Sequence, residues 1–208
     1  MMRVDYSYSG TGLNIDLNIQ DGSAQFMPSG DQDVLFGIEH ILGTSKADVL
    51  TGNSLANKLD GASGADYISG GSGNDSLIGG GSSDTLIGGS GNDKIYGGTS
   101  ADKIWGGSGY DDFIFNDGHT GKSSSRDVVN DFEKGKDDLD VTDIDANTKK
   151  SGDQDFAYGG TTAKAYGVWY AKVGSSVIVY GDVTGDKKAD FEIQLFGTTS
   201  LSSSDFIL

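Results

Sequence analysis

The chain has no cysteine, one proline (Pro28), two histidines and no long apolar run among its 208 residues. Without cysteine there is neither a disulfide framework nor a thiolate metal site, so stability has to come from elsewhere and sulfur says nothing about the redox compartment. No stretch reaches the roughly 18 apolar residues of a spanning helix, so no membrane insertion is expected. Residues 1–30 show no basic start followed by an apolar stretch, and no amino-terminal export signal is expected there. His40 and His119 stand far apart with no HExxH around them, so both read as surface or packing residues rather than protease zinc ligands. No GxSxG elbow accompanies the serines. Positive charge is scarce as well: 15 Lys plus Arg against 31 Asp plus Glu leave a net charge of -16. Such a surface repels nucleic acid and anionic membranes and attracts multivalent cations.

Glycine is plentiful instead, at 34 residues, a bias that means low complexity unless a period organises it. A period does. Counting in nines from Gly43 places glycine at 43, 52, 61, 70, 79, 88, 97 and 106 without a slip. Five residues into each block stand Asp48, Asn57, Asp66, Asp75, Asp84, Asp93, Asp102 and Asp111. Two residues further come Leu50, Leu59, Ile68, Leu77, Leu86, Ile95, Ile104 and Phe113, an unbroken apolar column that reads as the core, and Ile41 extends it upstream.

Three residues with only the middle one apolar suit a very short strand with one inward anchor, which leaves six residues to turn the chain. Glycines there permit positive φ and let carbonyl oxygens converge on a common centre. Two blocks then make one coil with a strand on each side, and eight blocks make about four coils stacked at about 4.8 Å. One small apolar anchor per nine residues cannot offset the ordering of so much glycine. Aspartates about 5 Å apart would also repel by about 3 kcal/mol at an effective dielectric of about 20. A dication between turns reverses that sign, and an irregular all-oxygen site favours calcium over magnesium. Folding and calcium binding become one equilibrium.

"GGSGNDSLI" from Gly70, "GGSGNDKIY" from Gly88 and "GGSGYDDFI" from Gly106 resemble the calcium-binding nonapeptide GGxGxDxUx of repeats-in-toxin (RTX) proteins. "DFIFNDG", "DVVNDFEKGKDDLDV", "GDVTGDKKADFEIQLFG" and the terminal "DFIL" look like the carboxy-terminal domain of serralysin-type secreted metalloproteases, so that the likeness covers about residues 34–208. The resemblance implies an all-β fold: a parallel β-roll, or two-sided solenoid, over 43–114, between an N-terminal β cap over 1–42 and a C-terminal mixed β cap over 115–208. It implies four to six calcium ions in the roll, held between turns two blocks apart, with room for more in the caps. The strong pairs are Gly61 with Gly79, Gly79 with Gly97, Gly70 with Gly88, and Gly88 with Gly106. The implicated residues are Gly61, Ser63 and Asp66; Gly70, Ser72, Gly73 and Asp75; Gly79, Gly81 and Asp84; Gly88, Ser90, Gly91 and Asp93; Gly97, Thr99 and Asp102; and Gly106, Ser108, Gly109 and Asp111. Asp48 stands at one end, and Asp112 and Asp117 at the other are placed for an end-site ion. The blocks from Gly43 and Gly52 depart from the pattern, with Lys46 and Leu55 at the fourth place and Asn57 for aspartate, so their sites are expected to be weak or empty.

The same resemblance implies a secreted, extracellular protein exported through a type I ABC transporter, whose uncleaved signal is "SSSDFIL". The module itself is expected to be non-catalytic, since likeness to a protease tail does not make a protease. The opening "MMR" runs straight into strand-like sequence, which fits a piece of a larger protein or a small free-standing calcium protein. "LNIDLNI" over residues 13–19 reads as an amphipathic strand covering the first coil, "GVWYAKVGSSVIVYGDV" as a hairpin, and Phe191, Ile193 and Leu195 as the apolar face of a closing strand. Asp182, Asp186 and Asp190 around Gly185 suggest either a further calcium loop or a solvated acidic turn, and Lys187 favours the second. An alternative function is binding of an acidic polysaccharide such as alginate, through a stripe of Ile78, Ile87, Tyr96, Trp105 and Ile114.

Overall fold

The computed structural model describes residues 2–6, 9–18, 25–26, 32–33, 38–116, 118, 120–151 and 154–208. Each nine-residue block yields one strand, because its inward anchor has to reach the core while the residues on either side of it point to the opposite face. In chain order the strands are β1 (Met2–Asp5), β2 (Asn14–Asp16), β3 (Gln25–Phe26), β4 (Gln32–Asp33), β5 (Ile38–Leu42), β6 (Val49–Thr51), β7 (Lys58–Asp60), β8 (Tyr67–Ser72), β9 (Ser76–Gly81) and β10 (Thr85–Ser90). They continue as β11 (Lys94–Thr99), β12 (Lys103–Ser108), β13 (Asp112–Ile114), β14 (Asp127–Val129), β15 (Asp138–Asp140), β16 (Ala157–Tyr158), β17 (Gly167–Val173), β18 (Ser176–Asp182), β19 (Phe191–Leu195) and β20 (Phe206–Ile207). Among the described residues there is no α-helix, and none long and apolar enough to cross a membrane.

Odd and even blocks feed opposite sheets. One sheet runs β1-β5-β7-β9-β11-β13-β15-β20 and is parallel throughout; the other runs β16-β17-β18-β19-β14-β12-β10-β8-β6-β2 and turns antiparallel only around β18. In the first sheet Ile41, Leu59, Leu77, Ile95, Phe113, Leu139 and Phe206 are successive partners. In the second, Ile15, Leu50, Ile68, Leu86, Ile104, Val129 and Leu195 are. The eight anchors expected from the repeats are 0–1% exposed, so the two ladders meet face to face as one core. This is the parallel β-roll.

Two features differ from the expectation. Strands β8 to β12 have six residues each rather than three, because the glycines after the anchor continue the ladder: Gly89 pairs with Gly71 and Gly107, and Ser90 with Ser72 and Ser108. The end of the nonapeptides at residue 114 is also not the end of the roll. Val129 pairs with Ile104 and Leu139 with Phe113, although the chain between partners has lengthened from 18 residues to 25 and 26. At the other end Ile15 in β2 and Val4 in β1 pair with Leu50 and Ile41 and cover the first coil. Ile19 lies outside the described residues. The hairpin of β17 and β18, with Gly174 and Ser175 at its tip, and the buried face Phe191, Ile193 and Leu195 of β19 complete the mixed end.

Candidate metal centre

Six turns share one backbone. In the blocks from Gly61, Gly70, Gly79, Gly88, Gly97 and Gly106, the second and fourth residues both take positive φ. The second residues are Ala62 at 70° and Gly71, Gly80, Gly89, Gly98 and Gly107 at 98–114°; the fourth are Gly64, Gly73, Gly91 and Gly109 at 107–143°, Ser82 at 82° and Ser100 at 86°. Side chains are costly in that region, and at Gly89 a Cβ would also stand 2.1 Å from the Gly71 carbonyl oxygen. Gly61, the first residue of its block, is required for a different reason. A Cβ there would lie 2.3 Å from Asp66 Oδ2 and 2.8 Å from the carbonyl oxygen of Gly79, two blocks on. The same cradle recurs at Gly70 with Asp75 Oδ2 and the Gly88 carbonyl, at Gly79 with Asp84 Oδ2 and the Gly97 carbonyl, and at Gly88 with Asp93 Oδ2 and the Gly106 carbonyl. These are the four turn pairs singled out in the sequence. Against Gly97 and Gly106 the nearest oxygens are Oδ2 of Asp102 and of Asp111.

The carboxylates of Asp66, Asp75, Asp84, Asp93, Asp102 and Asp111 are 1–3% exposed and stacked in two ladders. In each, Oδ1 accepts the backbone N–H of the column residue two blocks earlier, from Asp48 N–H to Asp66 at 2.8 Å through to Asp93 N–H to Asp111 at 2.9 Å. In each, Oδ2 is buried with no hydrogen-bond partner among the described residues. Burial pushes Asp66, Asp84 and Asp102 up to about 7 and Asp75, Asp93 and Asp111 up to about 6, only partly opposed by the backbone N–H each accepts. Partnerless buried polar atoms are rare because each costs on the order of 1–3 kcal/mol, and an oxygen facing a second oxygen has no donor to relieve it. A hard cation is the group that fits. Among the described residues no three His, Cys, Asp or Glu side chains converge, so backbone carbonyls have to complete any ligand set. All-oxygen donors of that kind suit calcium. Of the third residues of the blocks, Ser72 and Thr99 end β8 and β11 and Ser63 bridges to Gly81, and the carbonyls of Gly81, Ser90 and Ser108 already accept the N–H groups of Gly64, Gly73 and Gly91 at 2.8–3.0 Å.

The flanking positions behave otherwise. Asp48 is buried, but Leu13 N–H donates to its Oδ1 at 2.6 Å and Thr44 N–H to its Oδ2 at 2.7 Å, with Thr44 Oγ1 a third donor. Asn57 Oδ1 accepts Asn53 N–H at 2.8 Å. Asp112 is half-buried in β13, with Oδ2 3.6 Å from Lys94 Nζ. Asp117 and His119 lie outside the described residues; His40 is half-buried in β5. Sequence reasoning missed Asp127 and Asp137, which continue the two ladders by accepting Asp102 N–H at 2.9 Å and Asp111 N–H at 3.2 Å. A signal was present: Asp127-Val128-Val129 and Asp137-Asp138-Leu139 repeat the aspartate–x–apolar spacing without the glycines. Neither keeps a partnerless buried oxygen: Asp137 Oδ2 accepts the Glu133 N–H at 2.8 Å, while beside Asp127 the Thr120 hydroxyl accepts the Asp127 N–H at 3.3 Å and donates to the Glu192 carbonyl at 2.8 Å.

The loop from Asp182 to Asp190 is closed on itself. Asp182 accepts the N–H groups of Thr184, Gly185 and Lys187, Asp190 those of Val183 and Thr184, and Asp186 pairs with Lys188. The carboxylates of the fully buried Asp182 and of Asp190 thus shape the backbone of the loop. The outward apolar stripe divides between the sheets: Ile78, Tyr96 and Ile114 are neighbours in one, Ile87 and Trp105 in the other.

Against known proteins, the family model described as peptidase M10 serralysin C terminal matches residues 58–208, and that of the RTX calcium-binding nonapeptide repeat (4 copies) matches 33–66. No curated protein matches. Among solved structures, the AlgE6R3 subunit of the mannuronan C5-epimerase of Azotobacter vinelandii is 24% identical with a TM-score of 0.47, covering 78% of this chain and 79% of its own. The AlgE6R2 subunit of the same enzyme is 24% identical with a TM-score of 0.40, covering 77% and 91%. With 58–208 matched, more than half of its length, the chain belongs to the serralysin C-terminal family of peptidase M10 proteins, and it carries RTX calcium-binding repeats.

Proposed function

We propose that this chain is the calcium-dependent carboxy-terminal module of a protein exported by a type I ABC transporter, unfolded where calcium is scarce and folded by calcium outside the cell. The observation that carries the reading is the set of six buried, partnerless carboxylate oxygens, four of them sharing a glycine cradle with a carbonyl from the turn two blocks away. Calcium there would be held by Asp66, Asp75, Asp84, Asp93, Asp102 and Asp111 with backbone carbonyls of the glycine turns. When bound it supplies positive charge that offsets the stacked carboxylates. The chain's own contribution is to align those oxygens 18 residues apart through the Oδ1 hydrogen bonds, and to exclude water with the apolar ladders beneath.

The order of export before folding is supported by the place of the terminus. Phe206 and Ile207 form the last strand of a sheet, Asp205 is buried and accepts N–H groups from Gly135 and Ser202, and Tyr158 donates to the Leu201 carbonyl at 3.0 Å. A terminal signal tied down in this way is readable only before the roll closes. Titrating calcium into chelator-treated chain, followed by circular dichroism and native mass spectrometry, is expected to show β structure rising together with bound ions. Full β structure in chelator, or no ion bound at millimolar calcium, would overturn the reading. The polysaccharide alternative would use either Ile78, Tyr96 and Ile114 on one sheet or Ile87 and Trp105 on the other, the latter flanked on the same face by the 43%-exposed Tyr67. Retention of the Tyr96→Ala, Trp105→Ala double variant on an alginate gel, unchanged from the parent, would remove it.

A further inference from the structure

We infer that the backbone of the turn, rather than the acidic column, decides which blocks take an ion, and that the array is closed at both ends by protein donors standing where the ion would be. The inference rests on the calcium reading above. Eight blocks share the nine-residue period, yet two backbones occur. From Gly61 onward the second and fourth residues have positive φ and the block's carboxylate keeps a partnerless oxygen. In the blocks from Gly43 and Gly52 the corresponding residues are Thr44 with Lys46 and Asn53 with Leu55, and none of the four has positive φ.

The consequence is stereochemical. Reversing the peptide between the first and second residues of a turn changes φ of the second and exchanges an N–H for a carbonyl at one place in space. With Thr44 and Asn53 the N–H is the group presented, and it donates to Asp48 Oδ2 at 2.7 Å and to Asn57 Oδ1 at 2.8 Å. The oxygens of the cradle are still there: a Cβ on Gly43 would lie 2.5 Å from Asp48 Oδ2 and 2.7 Å from the Gly61 carbonyl oxygen. What differs is that a donor already serves the carboxylate, and a cation would have to meet the positive end of an N–H dipole. At the far end the Glu133 N–H does the same for Asp137, and Asp127 keeps no partnerless buried oxygen. Ion-accepting carboxylates are therefore confined to the six from Asp66 to Asp111, three on each ladder. The repeat-family match at 33–66 follows the period and the apolar anchors, and it includes both turns whose acceptors are filled.

Counting bound calcium by native mass spectrometry on the full chain tests this. Asp48→Asn is expected to leave the count unchanged, and Asn57→Asp alone to add nothing, whereas Asp84→Asn lowers it. Thr44→Gly with Lys46→Gly, which frees Asp48 and permits the other backbone, is expected to add one ion. Loss of an ion in Asp48→Asn, gain of one in Asn57→Asp, or no gain in the double-glycine variant with an unchanged circular dichroism spectrum would each overturn it. If the double-glycine variant does not fold, the first two counts still decide. A parent chain that binds no calcium would instead overturn the reading on which the inference rests.

Discussion

The turns at Gly43 and Gly52 and the six that follow have the same length, the same first glycine and the same buried anchor, yet they solve one electrostatic problem in opposite ways. In the early pair an amide N–H points at the buried acceptor, although Asn57 Nδ2 is itself buried without a partner among the described residues. In the later six the acceptor is left bare, and each turn contains more buried oxygen than its own donors can satisfy. The difference teaches that a repeat can conserve its packing and change its chemistry through two backbone angles. On the calcium reading proposed above, it also places a coil whose acceptors are served by N–H donors next to coils whose carboxylates would hold the ion.

The largest expected effect separates the two regions directly. Chelation should abolish the cooperative melting transition of the coils from Gly61 onward, while hydrogen exchange at Leu50 and Leu59 is slowed more than at Ile68 to Ile104. Equal loss in both regions would erase the distinction. Next, Leu86→Ala removes a fully buried anchor from the middle of a ladder and should cost about 3–5 kcal/mol in calcium, read from denaturant unfolding. Gly89→Ala combines positive φ with the contact at the Gly71 carbonyl and should cost roughly 2–4 kcal/mol, whereas Asn53→Ala at the same place in an early block should stay below about 1 kcal/mol. Similar costs at the two positions would mean that the two backbones are not as distinct as their φ values indicate.

The last comparison is the pH dependence of the calcium-free chain. Burial raises the six carboxylates to about 6 or 7, so the folded form binds more protons than the unfolded form between the ordinary aspartate range and neutrality. Their contribution is then fully present below about pH 4 and is lost as pH rises through 6 to 7. In chelator, β structure measured by circular dichroism should increase on acidification from pH 7 to pH 5. In calcium the direction should invert, because protons compete with the ion for the same oxygens. A chelated chain whose signal is flat across that window would contradict the burial-driven shift.

Much of this was legible in residues alone. The eight anchors and the acidic column follow from counting, because a solenoid converts sequence period directly into vertical stacking; the four turn pairs came from the resemblance to RTX repeats. Lys46 and Leu55 already marked the early blocks as different. Less visible was the identity of the partner that replaces the ion, since an N–H belongs to every residue and leaves no compositional trace. Asp127 and Asp137 were missed because the search followed the glycines, while the ladder itself requires only an aspartate two residues before an anchor. The stripe of Ile78, Ile87, Tyr96, Trp105 and Ile114 was read at a period of nine, but each sheet face repeats at 18.

The sequence by itself determined the coil: its period, its inward side chain and its excess of buried acid, all of which are set within one or two neighbouring blocks. The tertiary structure alone decided where that coil ends, by seating Val129, Leu139, Leu195 and Phe206 on the two ladders across long and unequal connections. It also decided which carboxylates meet a donor and which are left bare. The physical reason is that hydrogen-bond satisfaction depends on the orientation of individual peptide planes and on chain segments brought together only when the sheets stack, and neither leaves a periodic mark in the order of residues.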